Sequence, residues 1–117
     1  MTQFVPDRGD LIWLTFDPQA GREQAGREQA GHRPALVLSP KAYNQKSGLA
    51  ILCPITSQVK GYPFEVLVPE GSVVNGAILA DHVKSLDWKI RKAKKAGKVP
   101  PAILSEVLAR LATLLAG

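Results

Sequence analysis

Proline closes almost every apolar run in the first two thirds of this chain, and that punctuation limits the fold more than any other feature. Residues 10–16 (Asp10-Leu11-Ile12-Trp13-Leu14-Thr15-Phe16) end at Asp17-Pro18, residues 35–39 end at Pro40, residues 49–53 end at Pro54, and residues 64–68 lie between Pro63 and Pro69. Proline lacks a backbone donor and drives the residue before it out of the helical region, so each run reads as a short strand. A further run, residues 76–80, follows an Asn75-Gly76 turn signal. At least five short strands fall within roughly 80 residues with turn signals between them, the spacing of a compact antiparallel barrel or curled sheet.

The period changes after Pro100-Pro101. Ile103, Leu104, Val107, Leu108, Leu111, Leu114 and Leu115 recur at steps of three and four, which predicts a helix over residues 101–115 with one continuous apolar face. Proline suits its start because a first-turn residue has no intrahelical hydrogen bond to lose. That face packs on the sheet, and it is wide enough for a second copy of the chain to share part of it.

A length of 117 residues supports one core and one domain, 1–117. No segment approaches the roughly 20 apolar residues of a membrane span, and the N-terminus has neither a basic nor an apolar export region. Cys53 is the sole cysteine, so no intrachain disulfide forms, and a reducing cytoplasm is the expected location. Fifteen Lys and Arg stand against ten Asp and Glu, a net charge of +5. Seven of those bases (Lys84, Lys89, Arg91, Lys92, Lys94, Lys95 and Lys98) fall in one window with Asp87, leaving eight bases against nine acids elsewhere. Such a window is the footprint a polyanion uses, or simply a solvated surface, and charge alone leaves both readings open.

Several chemistries are disfavoured. Cys53, His32 and His82 show no CxxC or HxxxH spacing, so no metal site is expected. Cys53 sits inside an apolar run, where a thiol behaves as a small hydrophobe, and no GxSxG or phosphate-loop pattern is present. Arg33, just before a buried strand, sits at a sheet edge where its fork of donors can address a phosphate. Thr56, Ser57 and Gln58 leave the third strand at another edge. If the second and third strands are neighbours, these groups converge on Arg33.

The blocks Val5-Pro6-Asp7-Arg8-Gly9-Asp10-Leu11-Ile12-Trp13, Phe16-Asp17-Pro18, Glu28-Gln29-Ala30-Gly31-His32-Arg33-Pro34-Ala35 and Leu36-Val37-Leu38-Ser39-Pro40 resemble the MazF/PemK family of bacterial toxin endoribonucleases. Tyr43-Asn44, Cys53-Pro54-Ile55-Thr56-Ser57-Gln58, Lys60-Gly61-Tyr62-Pro63-Phe64-Glu65-Val66 and Asp81-His82-Val83-Lys84-Ser85-Leu86 continue the resemblance in order. It implies a mainly β fold with some α structure, a small SH3-like antiparallel barrel of the MazF/CcdB type with a C-terminal helix. It also implies a homodimeric toxin that cleaves single-stranded mRNA at short sequences with no metal or cofactor, held inactive by a cognate MazE-like antitoxin with an acidic, partly disordered tail.

By position, the family's catalytic arginine falls on Arg33 and its catalytic threonine on Thr56. RNA supplies its own nucleophile, the 2'-OH, so the protein need only orient the backbone, move a proton and stabilise charge on the phosphorane-like transition state. The resemblance implies products with 2',3'-cyclic phosphate and 5'-OH ends. A guanidinium is a donor without an acceptor and so a poor general base, which leaves Glu28 and His32 as the candidates to take the proton. Gln29, Ser57, Gln58, Lys60, Tyr62, His82 and Lys84 are the expected RNA contacts, with Tyr62 as the stacking ring and Trp13 and Trp88 assigned to the core. The basic window behind Lys84 guides the RNA backbone or meets the antitoxin tail.

One departure from the family pattern is a tandem duplication. Gly-Arg-Glu-Gln-Ala at residues 21–25 recurs at residues 26–30, lengthening the connection before Arg33 and predicting a longer flap over the site. The alternative from another class is a non-catalytic nucleic-acid or protein-binding barrel, such as a gyrase-inhibiting CcdB-like toxin.

Overall fold

The computed structural model describes residues 4–15 and 32–116. The proline-punctuated runs become strands: β1 (Asp10–Thr15), β2 (His32–Val37), β3 (Leu49–Thr56), β4 (Glu65–Leu67) and β5 (Ala77–Leu79). Two further strands, β6 (Lys84–Asp87) and β7 (Lys94–Lys98), lie within the basic window. A short helix α1 (Lys41–Ser47) precedes β3, and α2 (Pro101–Leu115) closes the chain as expected. The neighbour order is β4-β5-β3-β2-β1-β7, with β6 also on β3, and every pairing is antiparallel. The result is a barrel-like curled sheet whose two end strands, β4 and β7, do not pair with each other.

Pro54 does not end its strand. One edge of β3 pairs with β2, while the other takes β6 along Leu49–Leu52 and then β5 from Ile55. Leu38 N–H donates to the Ile51 carbonyl at 2.8 Å, and this sets the alternation so that the Pro54 nitrogen turns toward the gap between β6 and β5. No ladder donor is needed there, so the proline is tolerated.

Both faces of the central strands are covered. Leu11, Leu36, Cys53, Ile55 and Ile78 share one cluster with Val107 and Leu111 of α2. Ile12, Leu14, Ala35, Val37, Ala50 and Leu52 pack on the other face around Trp88. Leu108, Leu114 and Leu115 of α2 remain exposed, so the helix carries more apolar surface than the sheet covers.

Polar contacts fix the remaining pieces. Asn44 is fully buried; its Nδ2 donates to the Pro6 carbonyl at 2.8 Å and to the Ser39 carbonyl at 3.0 Å, and its Oδ1 accepts from Ser39 Oγ at 2.5 Å. The Trp88 indole donates to the Asn44 carbonyl at 2.9 Å. Helix α1 has no side-chain cap of its own at Pro40, and the Asp7 carboxylate, 34 residues away, accepts from the Lys41 N–H at 2.9 Å instead. Burial opposes ionisation of Asp7, but the amides of Arg8 and Lys41 and the charges of Lys98 and Lys41 outweigh it and hold the carboxyl below its usual range.

Candidate active site

Strands β1 and β2 pair with Trp13 opposite Pro34 and Leu14 opposite Arg33. Strand β3 joins them with Pro54 opposite Ala35, and its last two residues, Ile55 and Thr56, continue beyond that pair toward the same end and pair with Ile78 and Ala77 of β5. A cavity of about 720 Å³ opens on this end of the three strands. Trp13, Pro34 and Ile55 line it from the sheet, Val73, Val74 and Asn75 line it from the turn between β4 and β5, and His32, Arg33, Thr56, Ser57 and Gln58 complete it. The convergence expected of Arg33 with Thr56-Ser57-Gln58 is therefore present.

The polar groups have distinct settings. Arg33 is exposed, while Thr56 is half-buried at the strand end. Thr56 Oγ1 accepts a hydrogen bond from the Gln58 N–H at 3.1 Å. With a lone pair used that way, the hydroxyl proton is free to be donated to an oxygen entering the cavity. His32 is half-buried opposite Thr15 and lines the same space. Glu28, Gln29 and the duplicated pentad lie outside the described residues.

A smaller cavity of about 160 Å³ shares Thr56 and Gln58 with the first and is completed by Lys60, Tyr62, Glu65, Leu79 and His82. Tyr62 is 61% exposed, with Lys60 Nζ 6.0 Å from its ring centroid. The Glu65 carboxylate accepts from the backbone N–H groups of Lys60 at 3.1 Å and Gly61 at 2.8 Å, which ties down the loop bearing Tyr62. Lys84 lines neither cavity; it stands on β6 opposite Leu52.

The chain matches the model of the PemK-like, MazF-like toxins of type II toxin–antitoxin systems over residues 7–115. The chain belongs to the PemK/MazF toxin family. It is 49% identical to the endoribonuclease toxin MazF of Escherichia coli (strain K12) over 115 residues, 98% of each chain. It is also similar to the crystal structure of MazF from Deinococcus radiodurans, with 51% identity, a TM-score of 0.85 and coverage of 98% of this chain and 100% of that one. In a crystal structure of the MazE–MazF complex from the same organism, the matching chain shows 46% identity, a TM-score of 0.84 and coverage of 97% and 98%.

Within this PemK/MazF fold, two expectations are corrected. Trp88 is buried in the core, but Trp13, although paired with Pro34 on one side and Lys94 on the other, is 37% exposed and lines the main cavity. The basic window is not one free surface. Lys98 Nζ lies 3.3 Å and Lys95 Nζ 3.7 Å from the buried Asp10 carboxylate, and Arg91 donates to the Thr15 carbonyl at 3.0 Å. These side chains hold β7 and the turn before it against β1; Lys95 and Lys98 stay exposed while paired, and Lys84, Lys89, Lys92 and Lys94 are exposed as well.

The toxin-family site also contains groups the sequence did not single out. Asn75 lines the cavity opposite the sheet, and Glu65 shapes the Tyr62 loop. Asn75-Gly76 reads only as a turn, since nothing local shows that it meets β3. Cys53 is set apart from this chemistry: burial, reinforced by the Asp81 charge, pushes its thiol up to about 12. No cluster of three or more His, Cys, Asp or Glu suited to a metal occurs among the described residues.

Proposed function

We propose that this chain is the toxin of a type II toxin–antitoxin pair and an endoribonuclease that cleaves single-stranded mRNA at short sequences without a metal. The observation that carries the reading is that Arg33 and Thr56 line one open cavity at the end of β2 and β3. The 2'-oxygen attacks the adjacent phosphorus, its proton passes to Glu28 or His32, and the bond from phosphorus to the 5'-oxygen breaks. The leaving oxygen takes up a proton, giving 2',3'-cyclic phosphate and 5'-OH ends. Arg33 donates to the non-bridging oxygens as charge builds on them, and the Thr56 hydroxyl donates to the same group. Gln29, Ser57, Gln58, Lys60, Tyr62, His82 and Lys84 hold the flanking nucleotides, Tyr62 by stacking.

The wider reading is one toxin domain over residues 1–117 that forms a homodimer, supported by the exposed Leu108, Leu114 and Leu115 of α2. Its partner is a MazE-like antitoxin with an acidic, partly disordered tail, supported by the MazE–MazF complex it resembles. Its location is the cytoplasm, where such RNA is found; no helix among the described residues is long and apolar enough to cross a membrane.

The test is incubation of the purified protein with single-stranded RNA in excess EDTA, followed by analysis of product ends. Cleavage that leaves 2',3'-cyclic phosphate and is lost in Arg33→Ala and in Thr56→Ala supports the reading. An inactive wild type on varied RNAs, or full activity in both variants, overturns it in favour of a non-catalytic barrel. A substrate with 2'-deoxyribose at the scissile position resists cleavage if the 2'-OH is the nucleophile.

A further inference from the structure

The geometry points to Gly76 as the positioning residue for Thr56, an inference that rests on the catalytic reading of Thr56 given above. A Cβ added at Gly76 would lie 2.0 Å from the Thr56 carbonyl oxygen, 2.9 Å from its carbonyl carbon and 3.3 Å from Ser57 Cα. All three are backbone atoms, so no side-chain rotation relieves the clash. Gly76 also has φ +127, a conformation that L side chains rarely adopt.

The contact is held from both sides. Ala77, the next residue, pairs with Thr56 across the β5–β3 ladder, and the Gly76 carbonyl accepts from the Val68 N–H at 2.9 Å. The turn is thus fastened to the end of β4 while its backbone presses on the peptide that carries the Thr56 side chain. Thr56 Oγ1 in turn accepts from Gln58 N–H, so a shift of the Thr56–Ser57 peptide also disturbs the bond that orients the hydroxyl. Asn75, one residue earlier, faces the cavity from the same turn. Gly71 separates conformational freedom from contact: it lies in the same connection with φ +87, yet a Cβ there meets nothing within 4 Å.

The test compares Gly76→Ala with Gly71→Ala in steady-state cleavage of a fluorogenic single-stranded RNA, with folding checked by circular dichroism. Displacing a reacting group by about 1 Å costs roughly a hundredfold in rate. We expect a loss of that order in kcat for Gly76→Ala with KM little changed, and near-wild-type kcat for Gly71→Ala. Because Gly76 acts through Thr56, Gly76→Ala combined with Thr56→Ala is no slower than Thr56→Ala alone. Wild-type kcat in Gly76→Ala, or additive losses in the double variant, overturns the inference.

Full activity in Thr56→Ala would instead sink the catalytic reading of Thr56, so the two failures are distinguishable. Should Gly76→Ala not fold, amide hydrogen exchange on the wild type decides. The Val68 and Gln58 N–H groups are expected to be protected together, and a Val68 amide exchanging at the unstructured rate shows that the turn does not clasp Thr56.

Discussion

Arg33 and Thr56 border one cavity from two neighbouring strands, β2 and β3. The β2–β3 ladder ends with Ala35 opposite Pro54, and Arg33 and Thr56 each lie two residues beyond that last pair, toward the same end of the sheet. The fold thereby brings together a charged donor and a neutral one that are 23 residues apart in the chain. On the proposed catalytic reading, a phosphate group in the cavity meets both.

That pairing predicts coupled, non-additive losses. Arg33→Ala and Thr56→Ala each remove a donor aimed at the same developing charge, and deleting one such donor costs on the order of 10² to 10³ in kcat. The double variant is expected to fall well short of the product of the single losses. Arg33→Lys keeps the charge but not the planar fork and is expected to recover only part of the rate. Single-turnover cleavage of one RNA by the wild type and all four variants is the measurement, and strictly multiplicative losses contradict a shared target.

Tyr62 predicts an effect of another kind. Its exposed ring stands over the smaller cavity beside Thr56 rather than among the reacting groups. Removing a base-stacking ring costs roughly 1 to 3 kcal/mol of binding. Tyr62→Ala is therefore expected to raise KM, with kcat less affected, and Tyr62→Phe to remain near wild type. Equal KM in Tyr62→Ala and wild type would remove Tyr62 from the RNA path.

Strands β1 to β5 are legible because their stability is written in their own apolar residues. Strands β6 and β7 are not. Their side chains are mostly exposed lysines and serine, and they pair because β1 and β3 offer ladder partners and Asp10 offers a buried carboxylate to Lys95 and Lys98. Helix α1 is hidden for the same reason, since the group that satisfies its first amide is Asp7. At the site, Arg33 and Thr56 stand out as polar residues bounding apolar strands. Trp13 and Asn75 do not, because one looks like core and the other like a turn until the chain is folded. Pro54 looks like a stop for a related reason: its harmlessness depends on the gap between β6 and β5, which no local pattern reveals.

Asn44 predicts a stability effect that leaves the chemistry untouched. Its side chain satisfies the Pro6 carbonyl, the Ser39 carbonyl and the Ser39 hydroxyl, and Ser39 Oγ accepts from the Ile51 N–H at 2.9 Å. Leaving one buried polar group without its partner costs about 1 to 3 kcal/mol. Asn44→Ala strands more than one, so urea unfolding is expected to show a loss of at least ~2 kcal/mol. A loss below ~0.5 kcal/mol, the usual size of a surface substitution, would mean that the network is not holding the N-terminal segment to α1.

Cys53 predicts how stability responds to alkali. In the unfolded chain its thiol ionises near the ordinary value of 9.0, whereas burial and the Asp81 charge keep it protonated in the folded chain up to about 12. Well below pH 9 the thiol is neutral in both states and contributes no pH dependence. Between pH 9 and 12 the unfolded chain binds fewer protons than the folded one, so stability falls as pH rises, with a slope approaching ~1.4 kcal/mol per pH unit from this group. Lysines and tyrosines titrate in the same interval, and a comparison with Cys53→Ala cancels them. The variant is expected to be the less stable protein at pH 7.5, where it has lost a buried sulfur, and to close that gap as pH rises, because it has no thiol to ionise. Urea unfolding of both proteins at pH 7.5, 8.5, 9.5 and 10.5 measures the gap. A gap constant across the series would show that the thiol ionises as readily in the folded core as in the unfolded chain, contrary to the effect of its burial.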